Sequence, residues 1–167
     1  MNLLVFNKIQ EKEAFEAFFS CCSSTNWASQ MASQMPFSSI SELKEKADKA
    51  WAQTQSTDWL EAFSHHPKIG DISHLEKKFA STAAWASSEQ SAVSIANQEV
   101  LERLSTGNEA YFQKFGFIFI ICATGKSASE MLELLESRLP NSKEVELKIA
   151  ALEQHKIALI RIEKLFL

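Results

Sequence analysis

Turn formers are scarce in this chain. Its 167 residues include only 4 glycines and 3 prolines, against average usages of about 7% and 5%. A many-stranded sheet needs frequent turns, so the shortage favours long helices joined by short links. Cysteine is sparse too. Cys21, Cys22 and Cys122 are odd in number and two of them are adjacent, which makes a poor disulfide framework and fits a reducing compartment. Neither C-x-x-C nor H-E-x-x-H occurs, so no metal site is expected. No apolar run approaches the roughly 20 residues that cross a bilayer. The formal net charge of −4 offers no general attraction to nucleic acid or anionic lipid, so neither is expected as a partner. The opening residues MNLLVFNKIQEKEAF lack a basic region and a long apolar segment, and the last four are KLFL. No signal peptide or targeting tripeptide is expected, and the chain is read as cytoplasmic.

Hydrophobic residues make up 46% of the chain and charged residues 23%, enough to bury a core and too apolar for disorder. Apolar spacing is helical. Leu4 to Phe19 places Ala14, Phe15, Phe18 and Phe19 on one face, with Asn7 as N-cap. Ser39 to Trp51 carries Ile40, Leu43, Ala47 and Trp51 on another. Thr57 caps a short helix through Trp59, Leu60 and Phe63 that ends at His65-His66-Pro67, where proline disfavours helical geometry before it. Ser87-Ser88-Glu89-Gln90 reads as a capping box opening a helix through Val93, Ala96, Val100 and Leu104. Thr106 caps the next, Asn108 to Phe115, which Gly116 stops. Phe117 to Ala123 is a continuous apolar run, read as buried and extended or irregular. Ser127 to Glu130 forms another capping box, and Asn141 to Phe166 is the longest predicted helix. No repeat or linker interrupts the chain, so residues 1–167 are read as one all-α domain.

Three places could carry chemistry. His66, at a helix end and followed by Pro67-Lys68-Ile69-Gly70-Asp71, is held by its surroundings yet reachable, and an imidazole titrates near neutrality. A helix-terminal histidine can equally serve a backbone carbonyl, and His65, His74 and His155 compete for the role. Glu89 and Gln90 either cap a helix or project into a pocket, where the amide pairs with an amide-like ligand. Arg161 lies among Ile157, Ile160, Ile162 and Leu165. A guanidinium beside an apolar face either meets an anion or several acceptors, or reaches out to solvent.

Longer stretches connect these places. Cys21-Cys22 with Trp27, Trp59 to Phe63, His66 to Asp71, Glu89-Gln90, Asn108, Tyr111, Lys114 to Ile120, Cys122 to Lys126, Arg138 to Asn141, Glu146 and Arg161-Ile162 follow one another in order. This set resembles the 2-oxo-4-hydroxy-4-carboxy-5-ureidoimidazoline (OHCU) decarboxylases over nearly the whole chain. The resemblance implies a single-domain bundle of roughly seven to nine helices and a homodimer. It implies decarboxylation of OHCU to (S)-allantoin in urate breakdown, with no metal or organic cofactor. By resemblance His66 is the catalytic histidine in preference to His65, with Glu89 and Arg161 as its catalytic partners. Gln90, Pro67 and the backbone of Phe117, Ile118, Phe119, Ile120 and Ile121 are then substrate-binding. One position departs: where many relatives carry a substrate-contacting serine, this chain has Ala86. The competing readings are a non-catalytic helical module that binds a ureide or a protein, and a hydrolase acting on a related ureide.

Overall fold

The computed structural model describes residues 2–66 and 90–167, and for residues 90–97 the backbone only. Among the described residues there are eight α-helices and no strand. They are α1 (Leu3–Phe6), α2 (Glu11–Cys22), α3 (Thr25–Ser33), α4 (Ile40–Ala52), α5 (Ser56–Ser64), α6 (Gln90–Phe115), α7 (Ala128–Arg138) and α8 (Lys143–Leu165). The all-α expectation holds. The chain divides into two compact units, residues 1–66 with 149–167, and residues 67–148.

In the first unit α2 packs on α3, and α3 on α4 and α5. Phe18 is the centre of its core: the ring meets Phe6, Trp27 and Phe37 edge-on, at 5.3, 6.1 and 5.9 Å between centroids. Each such ring, taken from water, contributes about 1.5–3 kcal/mol. The one polar atom of Trp27 is satisfied, its indole N–H donating to the Ala47 carbonyl at 3.2 Å. Ser39 caps α4 as expected, accepting from the Glu42 amide at 3.1 Å. Leu43, Ala47 and Trp51 face inward.

Two cap assignments in this unit need correction. The predicted helix from Leu4 to Phe19 is two helices, and Asn7 closes α1 instead of opening α2. Its amide bonds both ways with the Phe37 backbone, donating at 2.7 Å and accepting at 2.9 Å. An asparagine occupied by a segment 30 residues away cannot also cap the next turn. Glu13 takes that duty by accepting from the Gln10 amide at 3.0 Å. Likewise α5 starts before Thr57, because Asp58 accepts from the Gln55 amide at 2.8 Å. The helix does end at Ser64, with His65 as its C-cap.

In the second unit α6 packs on α7. The break expected at Thr106 is absent: α6 runs unbroken for 26 residues and exceeds the 23 of α8. Gly107 has a packing role within it, since a Cβ there would lie 2.7 Å from Leu135 Cδ2 on α7. Packing against α7 thus overrides the weak helix propensity of threonine and glycine. The Asn108 amide bonds back to the Leu104 carbonyl at 2.7 Å. Gly116, at φ +79, ends α6 as predicted. The run from Phe117 to Ala123 is neither helix nor strand, and all but Ile118 and Ala123 are buried. Ser127 and Glu130 form the expected capping box on α7. At the start of α8 the Glu146 amide donates to the Ser142 carbonyl at 2.9 Å, so the helix begins just after Asn141.

Candidate active site

The site in the first unit grows from the C-terminal end of α2. A helix leaves its last carbonyls without intrahelical partners. Ser23 ends α2 in the left-handed region, at φ 61, which turns the chain away from those carbonyls. Two side chains from α8 take them. Arg161 Nη1 donates to the Cys21 carbonyl at 3.1 Å, and Gln154 Nε2 donates to the Cys22 carbonyl at 3.0 Å. Residues 154 and 161 are two turns apart and so share one face of α8.

Gln154 is fully buried, and its other end holds a histidine: Oε1 lies 2.6 Å from His66 Nε2. His66, just beyond α5, is part-buried. Burial pushes its pKa below the usual value, and the neighbouring Arg161 guanidinium and His65 push the same way against the opposing Gln154 bond. The imidazole is therefore neutral near pH 7, as a general base must be. His65 is exposed and stands edge-on to Phe19, 5.4 Å between centroids. His155 is engaged elsewhere, 2.6 Å from Asp48 and stacked on Trp51. The first unit thus brings His66 and Arg161 to one helix end. Arg161 neither stops at the apolar face nor merely reaches out to solvent.

Phe117 to Ile121 belong to the second unit, and a buried polar cluster holds their backbone. Arg138 Nη1 donates to the Ile120 carbonyl at 2.9 Å. The same guanidinium donates through Nε to Glu146 Oε1 at 2.7 Å, is also ion-paired to it through Nη2, and lies over the Phe119 ring at 4.6 Å. Tyr111 donates its hydroxyl to Glu146 Oε1 at 2.5 Å, and Asn141 donates to Oε2 at 2.9 Å. Every oxygen of this fully buried carboxylate is satisfied. Burial, and then the bond to Glu146, raise the Tyr111 pKa far above its ordinary value, so the hydroxyl stays a donor. Arg138 and Glu146 connect α7, α8 and the irregular run.

Gln90 is the first residue of α6. Pro67, Glu89, Ala86 and His74 lie outside the described residues, as do the first three residues of the Ser87-Ser88-Glu89-Gln90 capping box. Gln154 escaped the sequence reading, although a signal exists. Ala150, Ala151, Ala158 and Ile162 form a buried stripe on α8, and a lone amide within such a stripe demands partners. Among the described residues no cluster of histidine, cysteine or carboxylate suits a metal ion, and no helix is long and apolar enough to cross a membrane.

The model of the OHCU decarboxylase family matches residues 7–163. The chain belongs to the OHCU decarboxylase family. It is 41% identical over 148 residues to the bifunctional uric acid degradation protein TTL of Arabidopsis thaliana, a match covering 87% of this chain and 45% of that protein. It is 28% identical over 167 residues to the 2-oxo-4-hydroxy-4-carboxy-5-ureidoimidazoline decarboxylase of Haloferax volcanii, covering 99% of this chain and 96% of that one. The chain therefore spans under half of the plant protein and nearly all of the archaeal one. Among solved structures, an OHCU decarboxylase crystallised in the presence of (S)-allantoin superposes with a TM-score of 0.72 at 37% identity, over 95% of this chain and 99% of that one.

Proposed function

We propose that this chain is a carboxy-lyase that converts OHCU to (S)-allantoin in urate degradation, with His66 as general base and Glu89 and Arg161 as its partners. Family membership supports the reaction. The observation that supports the roles of His66 and Arg161 is their convergence on the end of α2, one through Gln154 and one directly, with the imidazole kept neutral.

Decarboxylation needs a place for the electron pair of the breaking C–C bond. Many enzymes borrow one from a cofactor. Here the substrate has its own: the carbon that loses CO2 is bonded to a ring C=N carbon. The pair moves into the bond between these carbons, the imine nitrogen takes a proton, and an enol remains. Loss of the hydroxyl proton and protonation of the ureido-bearing carbon then give the ketone. No metal or organic cofactor is required for these steps. His66 takes the hydroxyl proton, while Glu89 places the imidazole and the ureido group. Arg161 holds the anionic end or a ring carbonyl. Gln90, Pro67 and the main chain from Phe117 to Ile121 line the urea-like edges of the substrate. Protonation from one face is what makes the product (S).

The chain is proposed to act as one domain, in the cytoplasm and as a homodimer, the last checked by sedimentation at micromolar concentration. The reaction is tested by adding the protein to freshly generated OHCU. A growing circular dichroism signal of (S)-allantoin together with CO2 release is expected. Release of urea or glyoxylate instead would point to a hydrolase, and neither product to a binding module.

Two further outcomes follow from the site. The acid limb of the kcat/KM profile should fall below about pH 6.5, the ordinary imidazole value, because burial and Arg161 lower the His66 pKa and the base is lost only on protonation. A limb above that value would contradict the assignment. Arg161→Lys keeps the charge but loses the planar fork, so kcat/KM should drop about tenfold, the worth of one charge-assisted hydrogen bond. An unchanged kcat/KM would reduce Arg161 to a cap on α2.

A further inference from the structure

We propose that Gln154 is a positioning residue that locks His66 in the tautomer with hydrogen on Nε2, leaving Nδ1 as the nitrogen that meets the substrate. The argument is one of donors and acceptors. The Cys22 carbonyl can only accept, so the Gln154 group facing it at 3.0 Å must be the NH2. This fixes the amide orientation. The opposite end of the amide is then its oxygen, which can only accept, and it lies 2.6 Å from His66 Nε2. Nε2 must therefore carry hydrogen. In the neutral ring the lone pair available to a proton is on Nδ1.

Three features make the lock firm. Gln154 is fully buried, so no water competes for either end. Its anchor is a main-chain carbonyl at a helix end, which moves only if α2 moves. Turning the amide over would oppose two oxygens at Cys22 and lose that bond. The Arg161 guanidinium, the charged neighbour of His66, has no acceptor to offer Nε2 in place of Gln154. The Cys22 thiol, 4.0 Å from Gln154 Nε2, stays protonated, with a pKa pushed up to about 12 by burial.

This proposal rests on His66 being the base, but its test does not. Nitrogen NMR of histidine-labelled protein at a pH above the His66 pKa reads the tautomer directly. In the wild-type chain Nε2 should be the protonated, pyrrole-type nitrogen and Nδ1 the pyridine-type one. Gln154→Leu should mix the two forms and lower kcat by about tenfold or more, with KM less affected, since general-base assistance depends on the correct nitrogen. Gln154→Glu loses the bond to the Cys22 carbonyl but still accepts from Nε2, and should restore the wild-type tautomer. Its carboxylate favours the imidazolium and should move the acid limb of kcat/KM to higher pH. A wild-type spectrum with hydrogen on Nδ1, or a Gln154→Leu spectrum identical to wild type, overturns the lock. The base assignment itself stands or falls separately, on the activity of His66→Ala.

Discussion

Replacing His66 by alanine is expected to lower kcat/KM for (S)-allantoin formation by about 10²- to 10⁴-fold, the usual worth of a positioned acid–base group. The protein should remain folded. His66 follows α5, is only part-buried, and among the described residues its side chain bonds to Gln154. Removing it frees one acceptor at the edge of the unit while the anchor of Gln154 on Cys22 persists. A thermal transition near that of the wild type, with activity reduced by two orders of magnitude or more, would assign the loss to chemistry. OHCU also decays unassisted, so the decisive measurement is enantiomeric: circular dichroism separates enzymatic (S)-allantoin from racemic background. His66→Ala that forms (S)-allantoin as fast as the wild type would falsify the role. His65→Ala is the control, because that ring is exposed and stands against Phe19.

Glu146→Gln should produce the largest loss of stability. The wild-type carboxylate is fully buried and accepts from Arg138, Tyr111 and Asn141. The neutral amide leaves Arg138 charged and buried without its counter-ion, and turns one acceptor into a donor facing donors. Breaking a buried pair from one side costs about 3–5 kcal/mol. At about 2–4 °C per kcal/mol for a chain of this size, the melting temperature should fall by roughly 6–20 °C. A shift under 2 °C would mean that the pair is not closed in solution. The double variant Arg138→Met, Glu146→Leu separates stability from function. Replacing both charges by apolar groups is often neutral or stabilising, so most of the lost stability should return. The Ile120 carbonyl would still lack its 2.9 Å donor. If the backbone from Phe117 to Ile121 binds substrate, KM should stay raised in the refolded double variant.

The parts of the fold that depend on a turn or two of chain were readable in advance. Ser39 and Ser127 cap helices because a hydroxyl there meets an amide three residues on. Gly116 stops α6 because a glycine adopts the left-handed turn there without steric cost. The apolar continuity of Phe117 to Cys122 required burial of most of its side chains, whatever the backbone did. Two of the errors arose where a distant partner overrode a local preference, while the start of α5 was misplaced by a nearby competing cap, Asp58 on Gln55. Asn7 was drawn to Phe37, and Gly107 gives way to Leu135.

The candidate site divides along the same line. Sequence alone determined which chemical groups were available: an imidazole beside a proline, an arginine in an apolar stripe, and an ordered set of stretches that marked the family. It also determined that long helices would carry them, since few glycines and prolines leave little else. Tertiary structure decided which of these groups meet. His66 and Gln154 are 88 residues apart, and Gln154 and Cys22 are 132 apart. Local propensity has no reach across such intervals, and only the folded chain places the end of one helix against the side of another. There the unspent carbonyls of α2 became the fixed points that orient an amide, a guanidinium and, through the amide, a single nitrogen of one histidine.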